Sequence, residues 1–282
     1  MAEFHRHRIG GIEVIALEDG YSHAPNSLFP LFEMDRAKAA AAQAGIAYDG
    51  ERSLVPIRSF VLRTGDAVAL VDAGSPPDFA PTTGNFAAAL AAAGVAPGDV
   101  THLVMTHLHS DHVGGLIDGE GRRVFENAEL VSGRGDWDHF TSDAYEATLK
   151  GRALAGFQVA RRSIEPYADR RREIDGGGEA LPGISLIPLP GHTPGHSGVM
   201  VSDGDAQLLI WGDTIHCETF QMAEPDWGVL FDVDADQARE TRKRLFDRVA
   251  TEGLTVTGPH VRGPGLRKVE RMARGYRLVD AG

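Results

Sequence analysis

Apolar positions fall into short runs, each closed by a turn signal, with segments of helical spacing between them. "SFVLRT", "AVALVDAG", "THLVMTH", "ISLIPLPGH", "GVMVSDGDAQLLIWGD" and "LTVTGPH" are rich in β-branched residues and read as strands. The fifth reads as a hairpin turning at Asp203-Gly204, a pair that tolerates positive φ. Two helices are clear. "NFAAALAAAG" is alanine-rich and stops at Gly94, and "DADQARETRKRLFDRVATEG" carries Ala238, Leu245, Phe246 and Val249 on one face. The basic "TRKR" inside the second then reads as a solvated face.

Strands alternate with helices in both halves, which predicts an α/β sandwich built of two βα-rich halves. No repeat, low-complexity tract or linker interrupts residues 1–282, so a single domain is expected. Residues 118–178 are rich in charge and aromatics with weak strand signals and read as a helical insertion over the site. Residues 21–58, with the helical "MDRAKAAAAQAG", read as a second, peripheral addition.

Composition narrows the function classes. A net charge of -12 argues against nucleic acid or an anionic membrane as partner, since both require a basic surface. The single cysteine, Cys217, leaves no internal disulfide and fits a reducing compartment. The N-terminus lacks the apolar core of a signal peptide, and no apolar run has the length of a membrane span. A cytoplasmic protein acting on a small molecule is expected.

The chemistry is concentrated in "THLHSDHVGG", which places His107, His109, Asp111 and His112 within six positions just past a strand. Loops beyond the C-terminal ends of strands are where open α/β sheets place ligands. His107 and His109, two apart in extended backbone, face the same way, and Asp111 and His112 follow after the turn. Two ligand groups aimed at neighbouring points are what a two-metal site requires. A histidine-rich surface turn is the plain alternative, and it makes no demand on the rest of the chain. Yet His192, Asp213 and His260 each lie just beyond another apolar strand, in "LIPLPGH", "LLIWGD" and "LTVTGPH".

This set, preceded by "LVDAG", resembles the metallo-β-lactamase superfamily. Within it the chain is most similar to the branch containing methyl parathion hydrolase and quorum-quenching lactonases, through "TTGNFAAALAAAGVAPGDVTHLVMTHLHSDHVGGL", "GDTIHCETFQ", "FDVDADQARETRKRLFDRVA" and "RMARGYRLV". It departs from that branch after the last histidine, where "HVRGPG" stands in place of a Phe-Pro-Gly segment. The resemblance implies a four-layer αββα sandwich. It further implies one metal on His107, His109 and His192, another on Asp111, His112 and His260, Asp213 bridging the two, and a homodimer. Imidazole and carboxylate ligands without a thiolate suit two divalent metal ions, zinc first, with manganese, iron or cobalt also compatible.

The expected activity is hydrolysis of lactones or related esters by a hydroxide shared between the metals, with phosphotriesters as a side substrate. Asp111 is the candidate proton carrier to the leaving group, and Asp213 is the second catalytic carboxylate. Asp72, from "LVDAG", is expected to orient a ligand histidine, with a turn-capping role as its alternative. His216, Trp137, Phe140 and Arg262 are candidate substrate contacts, Arg262 as a clamp for a carboxylate. Their plain alternatives are a structural histidine, ordinary aromatic packing and a solvated loop arginine. His196 reads as structural and Cys217 as a small buried hydrophobe. Rival functions are a glyoxalase II-like thioesterase, for which no separate C-terminal domain is visible, and a metal-stabilised sensor without turnover.

Overall fold

The computed structural model describes residues 3–263 and 265–282, which form two seven-stranded sheets. The first sheet holds β1 (Phe4–Ile9), β2 (Ile12–Pro25), β3 (Arg52–Thr64), β4 (Ala67–Val71), β5 (His102–Val104), β6 (Glu129–Gly133) and β7 (Arg171–Ile174), side by side in chain order. The second holds β8 (Gly178–Leu181), β9 (Ile184–Pro188), β10 (Ser197–Asp203), β11 (Ala206–Ile210), β12 (Thr255–Thr257), β13 (Arg267–Arg271) and β14 (Tyr276–Asp280), again in order. Each half thus feeds one sheet, with β4 to β7 parallel in the first and β11 parallel to β12 in the second. The helices are α1 (Met34–Ala44), α2 (Phe86–Ala92), α3 (Ser110–Val113), α4 (Asp136–Phe140), α5 (Asp143–Glu146), α6 (Gly151–Ile164), α7 (Glu218–Gln221) and α8 (Ala235–Glu252).

The unbroken apolar runs follow from burial on both faces of each sheet. Val14, Ala16, Phe60, Leu62, Ala69 and Val71 point between the sheets and meet Ile184, Leu186, Val199, Val201, Leu208 and Ile210. Their neighbours Ile15, Leu17, Val61 and Leu70 point the other way and pack with Phe86, Leu90, Phe140 and Phe157 from α2, α4 and α6. On the far side, Met200, Leu209 and Val256 pack with Leu245, Phe246 and Val249 of α8. Helix, sheet, sheet, helix is the expected four-layer order.

Several boundaries differ from the sequence reading. Residues 118–178 are not wholly helical, because β6 and β7 lie within them and continue the first sheet. Their short length and the charged residues of "RREI" conceal the strand signal. Residues 21–58 are peripheral only in their middle: residues 21–25 pair with residues 52–56 as the outer end of the β2–β3 ladder. The β10–β11 pairing Asp203↔Ala206 makes Gly204-Asp205 the two turn residues, with Gly204 at φ 59°. Glycine at the first of the two is the requirement of a type II′ turn. The N-terminal hairpin and β13–β14 carried no reading as strands; in both, arginines and other polar residues interrupt the apolar alternation.

The segment "TRKR" also needs correction. α8 is capped by Asp234, whose carboxylate accepts from Gln237 N at 2.9 Å, and ends at Gly253 in the left-handed region. Within it Arg242 is only 1% exposed. Its Nε donates to Thr214 O at 2.7 Å, its Nη1 to Pro225 O at 3.1 Å, and its Nη2 lies 3.8 Å from Asp232. Arg242→Met removes a buried cation and its donors together, so it should lower stability by about 3–5 kcal/mol. A denaturant-midpoint shift measures this; a loss under ~1 kcal/mol would show that the buried contacts contribute little to stability.

Candidate metal centre

The ends of β4, β5, β9, β11 and β12 meet at one edge of the sandwich, where Ser197 N donates to Thr106 O at 2.8 Å across the two sheets. The loops leaving these strands bring seven metal-ligand candidates together, with His216 beside them. Asp213, 3% exposed, lies at the centre. Its Oδ1 is 3.3 Å from His112 Nε2 and 3.2 Å from His260 Nε2. Its Oδ2 is 3.7 Å from His107 Nε2, 3.4 Å from His192 Nε2 and 3.0 Å from His216 Nε2. Asp111 Oδ2 sits 3.8 Å from both His112 Nε2 and His260 Nε2, and His109 Nδ1 sits 2.9 Å from His192 Nε2.

The donor atoms fall into tight groups, each spanning no more than 4.8 Å: His107, His109, His192; His107, His112, Asp213; Asp111, His112, His260; and His192, Asp213, His216. His107 Nε2, His112 Nε2, Asp213 Oδ1 and both ring nitrogens of His216 are buried without a hydrogen-bond partner. Leaving such a polar atom unpaired costs about 1–3 kcal/mol. Two donor atoms on one tetrahedral zinc, at ~2.05 Å from the ion, would lie about 3.3 Å apart, close to the 3.2 to 3.4 Å between Asp213 and the His112, His192 and His260 nitrogens. Donor chemistry, orphaned atoms and spacing therefore fit divalent metal ions, a hard-to-soft intermediate such as zinc among them.

Three of the histidines are turned by a contact on the ring atom facing away from the centre. His112 Nδ1 lies 2.9 Å from Asp72 Oδ2, His192 Nδ1 lies 2.9 Å from Asp232 Oδ1, and His260 Nδ1 donates to Pro56 O at 2.7 Å. These contacts put the proton on Nδ1 and aim the Nε2 lone pair inward. Asp72 reaches its place from a backbone at φ 57°, the one described non-glycine residue with positive φ, and also accepts from Thr106 N at 2.9 Å. Its carboxylate therefore ties the β4 end to the loop after β5 and to His112. The two glycines closing "DHVGG" allow α3 to press against this corner, since a Cβ on Gly115 would lie 2.5 Å from Ala73 O.

His196 holds backbone rather than metal-ligand side chains: Nδ1 donates to Leu189 O at 2.7 Å, and Nε2 accepts from Asp213 N at 2.8 Å. Burial and the neighbouring His192 push its pKa down to about 3, so the ring stays neutral and serves as donor and acceptor at once. Burial also pushes His107 and His109 well below the usual histidine value, leaving lone pairs available. For Asp213 burial alone would raise the pKa, but the imidazoles, His260 and His112 foremost, hold it well below the carboxylate range. Burial opposes charge on His112 and His260 too, yet Asp213 and the other carboxylates raise both. The centre is thus built to receive positive charge.

Other candidates fall elsewhere. Trp137 (5% exposed) and Phe140 (2%) are core residues, which corrects their reading as a substrate wall. Phe140 stacks on Phe157 and meets the His109 ring edge-on, while Arg171 covers Trp137, so little ring surface remains for a ligand. Arg262 is half-buried; its backbone N donates to Glu218 Oε2 at 2.9 Å, and its O accepts from Arg267. Among the described residues its guanidinium makes no hydrogen bond or ion pair with the metal-site side chains. His216 does join the centre, its ring 4.6 Å from that of His192 and stacked on that of His260. Cys217 is buried among Phe220 and Ala37. Sequence reasoning missed Asp232 and Arg242: one of three alternating aspartates in "FDVDAD" and an arginine in a basic run carry no pattern that singles them out.

The family model of the metallo-β-lactamase superfamily matches residues 52–253. An N-acyl homoserine lactonase from Bacillus sp is 26% identical over 224 residues, covering 72% of this chain and 80% of its own length. A probable metallo-hydrolase of Mycobacterium tuberculosis is 30% identical over 132 residues, 42% of this chain and 38% of its own. Among solved structures, the dizinc quorum-quenching lactonase AidC superposes with TM-score 0.91 at 23% identity, covering 100% of this chain and 98% of that one. The hydrolase AbOPH superposes with TM-score 0.89 at 24% identity and the same coverage. The matched segment contains six of the seven convergent ligand candidates, and the fold agrees over the whole chain: this protein belongs to the metallo-β-lactamase superfamily.

Proposed function

We propose that this metal-dependent hydrolase opens lactone rings, N-acyl homoserine lactones foremost, at a centre of two divalent metal ions. His107, His109 and His192 would hold one ion and Asp111, His112 and His260 the other, with Asp213 shared between the two groups. The observation that carries the reading is the single buried carboxylate facing histidines of both groups, in a chain whose relatives are N-acyl homoserine lactonases. Two such ions supply Lewis acidity toward the lactone carbonyl and an acidified water as nucleophile near neutral pH.

The chain's own residues do the rest. Asp72, Asp232 and the Pro56 carbonyl hold three rings so that lone pairs, not N–H groups, face the centre. Asp111 has 18% of its side chain exposed, which places a carboxylate at the boundary between the buried donors and solvent. It takes the proton released by the attacking water and delivers it to the ring oxygen as the acyl C–O bond breaks, giving a hydroxy acid. His216 stands 3.0 Å from Asp213 with ring nitrogens that lack other partners, so it is placed to orient the substrate carbonyl. A phosphotriester presents a comparable polarised oxygen and leaving alkoxide, which makes it a side substrate of the same machinery. A cytoplasmic homodimer completes the reading. Exposed Leu31, Met34, Leu230, Phe231 and Val233 lie on two neighbouring segments joined by the bond from Leu230 N to Leu28 O, and this supports self-association.

His109→Ala and Asp213→Ala should each reduce bound metal and lower kcat/KM by at least ~1000-fold. Elemental analysis beside kinetics checks both, and full turnover in either variant would refute the scheme. Across N-acyl homoserine lactones, simple lactones, thioesters, aryl esters, phosphotriesters and β-lactams, lactones should give the highest kcat/KM, with activity lost to a chelator and regained with zinc. A thioester or phosphotriester turned over tenfold faster than any lactone would replace the assignment. Sedimentation should give a dimer that Phe231→Glu dissociates; a wild-type monomer at micromolar concentration would remove the dimer from the reading.

A further inference from the structure

One buried carboxylate has no part in the chemistry above. Asp136, at the start of α4, is 0% exposed, and among the described residues no cation pairs with it. Its Oδ2 accepts from Leu108 N at 3.1 Å and its Oδ1 from Gly195 N at 2.6 Å. Leu108 lies between His107 and His109, and Gly195 lies in the turn that follows His192. The two oxygens of one side chain therefore hold the two loops that supply one metal group, touching no ligand in either. A buried, unpaired carboxylate is a costly way to satisfy two amides. Burial, the dominant influence on it, pushes its pKa up to about 6 against the pull of Thr193, Gly195 and Leu108.

A second observation points to the same spacing. At the end of β6, Gly133 meets Gly195 backbone to backbone, and a Cβ on Gly195 would lie 2.5 Å from Gly133 O and 2.9 Å from Asp136 N. The His192 loop can sit at this distance from α4 only because both contact residues lack side chains. Contact and hydrogen bonds together fix where the loop lies relative to Asp136, and hence relative to Leu108.

We propose that Asp136 is a positioning residue, which sets the distance between the His107–His109 loop and the His192 loop and thereby the affinity of the metal position these three histidines form. The proposal rests on the ligand assignment given under the proposed function. Misplacing one ligand of three weakens that position while the Asp111, His112, His260 position, whose two rings are held by Asp72 and the Pro56 carbonyl, stays as it was.

The test titrates zinc into the metal-free full-length protein in competition with a chromophoric chelator, for wild type, Asp136→Asn and Gly195→Ala. Wild type should show two binding steps. In Asp136→Asn, where an amide NH2 must face a backbone N–H, one step should weaken about 10–100-fold and the other stay within twofold. Gly195→Ala should weaken the same step. In parallel, amide exchange on metal-free wild type should find Leu108 and Gly195 N–H protected, a readout that needs no variant to fold. Two unmoved steps in Asp136→Asn, equal weakening of both, or free exchange of these two amides beside protected strand amides would overturn the positioning role alone. A wild type without two zinc steps would overturn the ligand assignment, and this proposal with it.

Discussion

Asp213 is a carboxylate taken out of water and ringed by imidazoles: His107, His112, His192, His216 and His260 all bring a nitrogen within 3.7 Å of it. A buried anion is tolerated only where positive charge and hydrogen bonds replace the lost hydration. Much of the surrounding architecture serves that single demand. The rings that face it come from loops after β5, β9, β11 and β12, and the His196 ring fixes the backbone that presents it. Each oxygen of Asp213 looks toward a different group of donors, so one side chain joins the two groups.

Outside this centre lies a second tier of buried polar groups that touch the ligands or their loops from behind. Asp72 anchors His112 to the end of β4, and Asp232 anchors His192 to the loop before α8. Arg242 closes the circuit, reaching the Thr214 carbonyl one residue after Asp213 while facing Asp232. The helices on the outside of the sandwich thus have two tasks: their apolar faces cover the sheets, and a few polar side chains hold the loops. Such groups act on function through geometry, because a ligand displaced by a fraction of an ångström changes the field and reach of the whole set.

The ligand candidates were legible because chemistry repeats a recognisable setting: His or Asp just past an apolar strand, four times over. The layers were legible for a similar reason, since strands buried on both faces leave continuous β-branched runs such as "AVALV" and "VMV". What sequence could not supply was the tier behind the ligands. Asp136, Asp232 and Arg242 are charged residues in polar or amphipathic stretches, where the ordinary expectation is solvent. Their burial is decided by tertiary packing. Trp137 and Phe140 fail in the opposite sense: aromatic residues near a site suggest a wall, yet the β6 strand hidden in "ELVSG" draws α4 into the core beneath His109. The short strands β6 and β7 carry little signal because four or five residues, half of them arginines in β7, give no period to count.

The bond between His260 Nδ1 and the carbonyl of Pro56 spans 204 residues of chain, and it ties the last ligand to the outer part of the first sheet. Its consequence is temporal. Chains emerge from the ribosome at roughly 5–20 residues per second, and domains fold as units. His107, His109, Asp111 and His112 are therefore synthesised several seconds before Asp213 and His260. The full set of donors is therefore complete only when the second sheet has docked and the Pro56 carbonyl has received its histidine, so the site is a product of closure of the sandwich.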